Sequence, residues 1–332
     1  MLDGVLKALL HPTDKRAAAL RSHFQFKIIP ILNPDGVYNG YFRLDGNGVN
    51  LNRCYIAPER DRFPSVYAVK TYVEYLATLC PLQAYFDLHG HSSKRGCFLF
   101  GNALPPDDLL ETRVFTRLVH LNSSFFEYSE CDFSEKSMLS KDPKDEHSKE
   151  GSGRVSLYRQ TGVQHCYTVE CNANIGRLVH PLSPLVNTVT GKRHAEGCGK
   201  GKLLAWSPRD RGVPAFEEVG AALLWALLDL EGWNPFSRLP SSEHMTLQGV
   251  REWVKTTLLT EPRSRPNVRR LKSSTPAGNE SSPEEEAKRR PVVKTSLPSV
   301  QSRFPSLLQA ASRHNFLGTP SVPKYRPLAG RL

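Results

Sequence analysis

A helical pattern that leads directly into a short apolar segment constrains the fold of this chain more than any other feature. Between Pro64 and Leu79, valine and leucine recur with the spacing of one helix face, and the proline occupies the first position, where helices tolerate it. The apolar run at 84–88 follows closely. This succession predicts a helix that feeds a buried β-strand.

The same alternation continues along the chain and defines the fold class. An apolar run at 97–100 is followed by a helical pattern at 107–121, and further strand and helix patterns occur at 163–169 and 214–231. The β-rich run Phe24–Leu32 is predicted to be one more central strand. Strands alternating with helices of this length predict an α/β fold with a mixed, mostly parallel sheet and helices on both faces.

Composition divides the 332 residues into a patterned part and a basic tail. Residues 261–332 contain 14 Lys and Arg against 5 Asp and Glu, so they carry a net charge of +9 out of +11 for the whole chain. This tail is rich in Pro and Ser and lacks regular apolar repeats, which is typical of a solvated, disordered segment. We therefore predict a folded domain over residues 1–260 and a disordered tail over 261–332.

The charge of the chain limits its possible binding partners, and its cysteine content indicates the cellular compartment. The basic tail favours an acidic partner, but no known nucleic-acid module and no interleaving of aromatic with basic residues supports nucleic acid. Seven cysteines without paired spacing indicate reduced thiols in an intracellular compartment. No apolar run reaches the length of a membrane span, so a membrane partner is not expected.

The run at 84–88 ends in two histidines, His89 and His91, at the predicted mouth of a buried strand. In open α/β sheets, this edge is where binding and catalytic residues collect. A lone histidine there is nevertheless more often a hydrogen-bonded structural residue than a metal ligand. From the residues alone, both interpretations of His89 stay open.

Other residues with catalytic chemistry follow the predicted strands. An arginine beside an asparagine, as in Asn52-Arg53, suits a carboxylate because the guanidinium offers two parallel charged donors and the amide adds a third. Arg43 lies in the same loop, where a surface arginine is the alternative interpretation. Glu170 closes the predicted strand at 163–169, and a carboxylate there is either paired with a cation or has a raised pKa suited to proton transfer.

A possible zinc motif also occurs in the polar stretch between Glu127 and Gly153. His147 and Glu150 have the H-x-x-E spacing with which two ligands can share one turn of helix. They lie among Lys, Asp and Ser, with no apolar segment to hold them in place. We therefore interpret this spacing as a chance occurrence.

Several motifs follow one another in a specific order along the chain. They are N-P-D-G at 33–36, Arg43, N-L-N-R at 50–53, D-L-H-G-H at 87–91, S-K-E-G-S-G-R-V at 148–155 and Y-T-V-E-C-N-A-N at 167–174. This order resembles the zinc metallocarboxypeptidases, and specifically the cytosolic carboxypeptidase family, which removes glutamates from proteins such as tubulin. The resemblance extends over about Val5–Thr260.

The resemblance implies a chemical role for each candidate residue. His89 would be a ligand of a catalytic Zn²⁺ ion, which polarises the scissile carbonyl and lowers the pKa of bound water. Glu170 would be the general base that takes a proton from that water. Arg43 would stabilise the developing oxyanion, while Asn52 and Arg53 would hold the terminal carboxylate of the substrate.

The resemblance also implies specificity and partners. Arg154 lies 16 residues before Glu170, near where this enzyme class places its specificity residue, so it would bind the glutamate side chain. His91 is interpreted as a supporting or structural histidine. The implied partners are polyglutamylated tubulin and other proteins with acidic tails. The implied location is the cytoplasm, including microtubules, and the nucleus.

One part of the family pattern is not found in this sequence. Members supply two further zinc ligands from an H-x-G-E type motif ahead of the helix that ends at Leu10, and no such motif occurs here. Because catalytic zinc generally has three protein ligands, His89 alone would bind it weakly. We therefore expect an amino-terminally truncated enzyme with little activity. The alternative is an inactive module that keeps Arg43, Asn52 and Arg53 and binds acidic tails without cleaving them.

Overall fold

A computed structural model of the chain describes residues 1–92, 94, 96–141, 148–172, 178–194 and 212–260. These residues belong to one compact unit, Met1–Arg265. The predicted tail at 261–332 and His147 lie outside the described residues, so the proposed domain division stays a prediction. Within the described ranges, no helix combines the length and apolar character that a membrane crossing needs.

Helices and strands alternate through the described part of the chain. The helices are α1 (Leu2–Leu10), α2 (Lys15–His23), α3 (Pro34–Tyr38), α4 (Pro64–Leu79), α5 (Pro106–Asn122), α6 (Glu135–Leu139), α7 (Gly153–Thr161), α8 (Gly212–Leu230) and α9 (Leu247–Thr260). The strands are β1 (Ala84–His91), β2 (Cys97–Phe100), β3 (His165–Asn172), β4 (Leu185–Asn187), β5 (Arg193–His194) and β6 (Phe236–Ser237). Short 3₁₀ turns at Leu51–Arg53 and Lys149–Gly151 contribute to the candidate site.

The central sheet has the strand order β1-β3-β2. β1 and β3 are parallel, with a register that runs from Ala84 opposite His165 to His91 opposite Asn172. β2 is antiparallel to β3, and a second sheet with the order β5-β4-β6 is antiparallel throughout. The predicted α/β class and mixed sheet are confirmed. Parallel pairing is confined, among the described strands, to β1 and β3.

One face of the central sheet is apolar because side chains alternate along each strand. Phe86 of β1 stacks against Tyr167 of β3, with ring centroids 6.0 Å apart, and Phe115 of α5 lies 5.2 Å from Tyr167. Residues of α1, α5 and α8 complete this main core. Burial of each large apolar side chain stabilises such a core by about 1.5–3 kcal/mol.

Helices α4 and α7 contribute to a second cluster at the other face of the sheet. Tyr55 and Val66 are fully buried there, together with Leu157 of α7, and Tyr85 of β1 packs against them. Helices on both faces of the sheet were predicted, and this prediction is confirmed. Tyr85 lies at the beginning of β1, so the remainder of this face of the strand is available for polar residues.

The run Phe24–Leu32 does not form the predicted strand. The segment is extended, but none of the described strand pairs includes it. Phe24 and Phe26 pack on the main core, whereas Ile28, Ile29 and Ile31 are 39–54% exposed. Strand propensity alone is not enough, because a strand also needs a neighbour that satisfies its backbone N–H and C=O groups.

Two local predictions also change in the structure. The tetrapeptide Asn33–Gly36 is the N-terminus of α3 rather than an isolated turn, since the Asn33 side chain accepts a hydrogen bond from the Gly36 N–H at 3.0 Å. Strand β3 continues to Asn172, so Glu170 lies inside the strand and not after its end. The position of Glu170 is therefore fixed on both sides by ladder pairing.

Two histidines, His120 in α5 and His165 in β3, have lowered pKa values. Burial lowers the pKa of His165 to about 4, against the opposing charge of Glu111. Burial, together with the positive charge of Arg117, lowers the pKa of His120 to about 4. In an unfolded chain, a histidine takes up its proton near pH 6.5. The folded protein therefore binds fewer protons than the unfolded chain in mild acid.

We predict that this difference makes the fold sensitive to acid, with stability lost as the pH falls from about 6.5 to about 4. His165→Phe removes one of the two histidines that cause this loss. As the pH falls, the free energy of unfolding of the variant should therefore decrease less steeply than that of the wild type, and the two slopes should differ by about 1.4 kcal/mol per pH unit near pH 5. Urea unfolding at several pH values measures this slope. His194→Phe controls for the loss of an imidazole elsewhere, and equal slopes in wild type and H165F would contradict the prediction.

Candidate active site

Three ionisable side chains meet on the polar face of the central sheet. Asp87 and His89 are two residues apart on β1, and therefore share a face, while Glu170 is paired with His89 in the parallel register. The His89 Nε2 atom lies 2.9 Å from Asp87 Oδ2. The structure thus brings together His89 and Glu170, two of the residues that the sequence singled out, and adds Asp87.

The charges around His89 favour its protonated form in the metal-free protein. Burial acts to lower the pKa of His89, but the Asp87 carboxylate and the charge of Glu170 outweigh it and raise the pKa to about 9. Arg53 acts in the opposite direction. A histidine must be neutral to bind a metal, so metal binding at His89 would have to displace a proton.

Glu170 is the group best suited to accept a proton. Its Oε2 atom is buried and has no hydrogen-bond partner among the described residues. Burial raises the pKa of Glu170, and the negative charge of Asp87 raises it further. The positive charges of His89, His91 and Lys149 act to lower this pKa. A carboxylate with a raised pKa transfers protons more readily close to neutral pH.

Asn52 joins this cluster from the 3₁₀ turn Leu51–Arg53. Its Oδ1 atom accepts a hydrogen bond of 2.9 Å from the Gly153 N–H, which fixes the amide, and its Nδ2 atom lies 3.4 Å from His89 Nε2. Arg53 follows directly, and its Nη1 atom donates to the Asn52 carbonyl at 2.7 Å. The predicted carboxylate-binding pair is therefore adjacent to the histidine.

The turn Leu51–Arg53 is held in place by the turn Lys149–Gly151. The Tyr55 N–H donates to the Gly151 carbonyl at 3.0 Å. A Cβ atom on Gly151 would lie only 2.1 Å from the Arg53 carbonyl oxygen, so only glycine allows the two backbones to approach this closely. This contact connects the predicted substrate-binding pair to the segment that leads into α7.

Arg43 lies half-buried in the loop between α3 and the Leu51–Arg53 turn. The loop is shaped by Asp45, whose Oδ1 atom accepts hydrogen bonds from the N–H groups of Asn47 and Val49 at 2.9 and 2.8 Å. The role of Arg43 as the oxyanion-stabilising cation stays a prediction.

Arg154 is almost completely buried, with 3% exposure. Its Nη1 atom donates to the carbonyl of Gly101 and to Asn102 Oδ1, the latter at 2.7 Å, and its Nη2 atom donates to the carbonyl of Ser137 at 3.1 Å. Burial lowers its pKa to about 10. The Nε atom has no hydrogen-bond partner among the described residues. Most of the guanidinium is thus committed to the protein, and its role in specificity stays a prediction.

The described residues do not fit a complete catalytic zinc site. Such a site generally needs three protein ligands, and no group of three or more His, Cys, Asp and Glu side chains in the described ranges is arranged to hold a metal ion. His89 is the ligand that the family resemblance implies, and its Nε2 atom lies 2.9 Å from Asp87 Oδ2. Glu150 of the H-x-x-E spacing is paired with Arg159 at 2.6 Å. Because His147 lies outside the described residues, the interpretation of this spacing as a chance occurrence stays a prediction.

Sequence reasoning assigned no role to two charged residues, Asp87 and Lys149, whose charges act on Glu170. Asp87 could have been found from the D-x-H spacing, which places both side chains on one face of a strand. Lys149 offered no local signal, because its place near Glu170 depends on how two distant turns pack. Long-range contacts of that kind are not visible in residue spacing.

Comparison with known proteins identifies similar sequences. No protein-family model matches the chain. The chain is 32% identical over 341 residues to cytosolic carboxypeptidase-like protein 5 of Rattus norvegicus, covering 76% of this chain and 40% of that protein. It is 34% identical over 195 residues to cytosolic carboxypeptidase 1 of Homo sapiens, covering 53% of this chain and 15% of that protein. The chain thus spans about two fifths of the length of the first relative.

Among solved structures, the chain is similar to a metallo-carboxypeptidase from Burkholderia cenocepacia, with a TM-score of 0.49 and 22% sequence identity. The match covers 70% of this chain and 52% of that one. A putative carboxypeptidase from Burkholderia mallei gives a TM-score of 0.49 and 21% identity, over 69% and 51% of the two chains.

We predict that Asp87 sets the protonation of His89. In Asp87→Asn, the pKa of His89 should fall from about 9 by about one to three units, because the variant loses the nearest negative charge. NMR titration of the metal-free protein measures this pKa. Asp61→Asn, at an exposed position, controls for the loss of a carboxylate, and a His89 pKa unchanged in D87N would contradict the prediction.

We also predict that replacing Gly151 destabilises the protein. Gly151→Ala should lower the free energy of unfolding by about 1–3 kcal/mol, because the new methyl group would overlap the Arg53 backbone. Gly46→Ala is the matched control, since its Cβ would meet Asp35 at an ordinary 3.9 Å. Denaturant unfolding measures both, and equal stability of the two variants would show that the turns are not packed as described.

Proposed function

We propose that the protein is a carboxypeptidase that removes glutamate from acidic protein tails. The part of this chain that aligns with its relatives belongs to the cytosolic carboxypeptidase family. Polyglutamylated tubulin is the proposed substrate, together with other proteins that end in acidic tails. The observation that carries this proposal is the register pairing of His89 with Glu170 beside Asn52.

The geometry supports the separate roles that the family resemblance implies for these residues. Asn52 and Arg53 would hold the terminal carboxylate, which selects a chain end because internal peptide bonds have no carboxylate to place there. Arg43 would stabilise the oxyanion formed at the scissile carbonyl. The proximity of Asn52 to His89 is what an exopeptidase needs, since the bond that is cut lies next to the terminal carboxylate.

Glu170 would carry the proton transfers. Its buried Oε2 atom has no hydrogen-bond partner among the described residues and is available to accept a proton from the attacking water. The raised pKa lets Glu170 hold that proton and then donate it to the departing amine. One carboxylate can thus act as base and then as acid within a single turnover.

Zinc is the proposed cofactor, with His89 as one ligand. The described residues supply no further ligands in a suitable arrangement, so the others would have to come from outside the described residues. The net charge of +11 favours acidic substrates electrostatically. We propose the cytoplasm, with microtubules and the nucleus, as the place of action.

The proposal predicts release of free glutamate from a peptide that ends in glutamates, in the presence of Zn²⁺. Glu170→Gln should lower this release by about 10²–10⁴-fold, the usual contribution of general acid–base catalysis. Glu150→Gln is the matched control, because Glu150 pairs with Arg159. Release by E170Q at the wild-type rate would contradict the proposed role. Binding of the peptide without any release would indicate a binding module instead of an enzyme.

A further inference from the structure

The turn Lys149–Gly151 places a lysine beside the candidate active site. The turn packs on the backbone of Arg53 through Gly151, and the residue that follows it into α7, Gly153, donates its N–H to Asn52 Oδ1. Lys149 is half-buried, and its backbone N–H is held by the Ser140 carbonyl at 3.1 Å. The lysine is therefore presented from a fixed backbone next to the pair Asn52-Arg53.

Among the described residues, the ammonium group of Lys149 forms no ion pair, whereas the neighbouring Glu150 is paired with Arg159 at 2.6 Å. The positive charge of Lys149 acts to lower the pKa of Glu170. Lys149 thus differs from Arg154, whose guanidinium is bound to three protein oxygens.

A peptide that ends in glutamate carries two carboxylates on its last residue. The pair Asn52-Arg53 can bind one of them. The second loses its hydration on binding, which costs free energy unless another cation pairs with it. A lysine is suited to this task because its ammonium is a compact charge with three donors on a flexible stem. Lys149 is the charged residue beside Asn52-Arg53 that has this chemistry and no ion-pair partner in the described part of the chain.

We propose that Lys149 is a specificity-determining residue that binds the side-chain carboxylate of an acidic C-terminal residue. This inference rests on the proposed carboxypeptidase function and names the group that selects the substrate. Arg154 would then have a structural role through its contacts with Gly101, Asn102 and Ser137, while Lys149 supplies the charge that binds the side chain.

The test compares binding of three fluorescent peptides that are identical except at the C-terminus, which is glutamate, glutamine or glutamate with an amidated α-carboxylate. Affinities are measured by anisotropy without added metal, so that binding is separated from cleavage. The wild-type chain should bind the glutamate peptide about tenfold or more tightly than the glutamine peptide. In Lys149→Met, this preference should disappear, whereas Lys149→Arg should keep most of it. Lys192→Met, in the turn before β5, is the matched control and should behave as the wild type.

The outcomes separate the two proposals. If K149M keeps the preference for glutamate, the role of Lys149 is wrong while the proposed function stands. Equal binding of the glutamate and glutamine peptides by the wild type, with loss of binding to the amidated one, also overturns the role of Lys149 and leaves a carboxypeptidase of different specificity. Binding of none of the peptides, or equal binding of the amidated one, contradicts both proposals. Unchanged circular dichroism and urea midpoint show that K149M is folded.

Discussion

The parallel register between β1 and β3 is the constraint on which the candidate site depends. It places Glu170 opposite His89, on the face that also carries Asp87. Side chains alternate with a period of two, so a shift by one residue would turn Glu170 into the main core and bring Val169 to the site. The apolar face secures this register, because Phe86 and Tyr167 can stack only when the strands pair as they do. The chemistry of one face is thus positioned by packing on the other.

Burial and neighbouring charges act in opposite directions on the pKa values of the site. Burial pulls the pKa of His89 down and that of Glu170 up, whereas the attraction between the two groups acts in the opposite sense on each. Asp87 decides the balance for His89, because it is hydrogen-bonded to the ring. The result is a protonated imidazole beside a carboxylate with a raised pKa, in a protein without metal. Any cation that binds there competes with the proton on His89.

The spacing of apolar residues predicted the helices and strands that depend on local sequence. It failed where the structure of a segment depends on the segments packed beside it. The helices α4, α5 and α8 and the strands β1 and β3 follow from the spacing of apolar residues. The run Phe24–Leu32 has the composition of a strand but lacks a paired neighbour among the described residues. His89 and Glu170 could be singled out because each lies near the end of an apolar run. Lys149 could not, since its place depends on contacts across the chain.

The close approach of Gly151 to Arg53 has a consequence for how the protein folds. It joins segments separated by nearly one hundred positions in the sequence, and such distant contacts form only after much chain entropy has been lost. The substrate-binding region is therefore expected to assemble late, when the domain around it is already in place. A ligand held between the two turns would cross-link both halves of the domain and would report on the cooperativity of the whole domain.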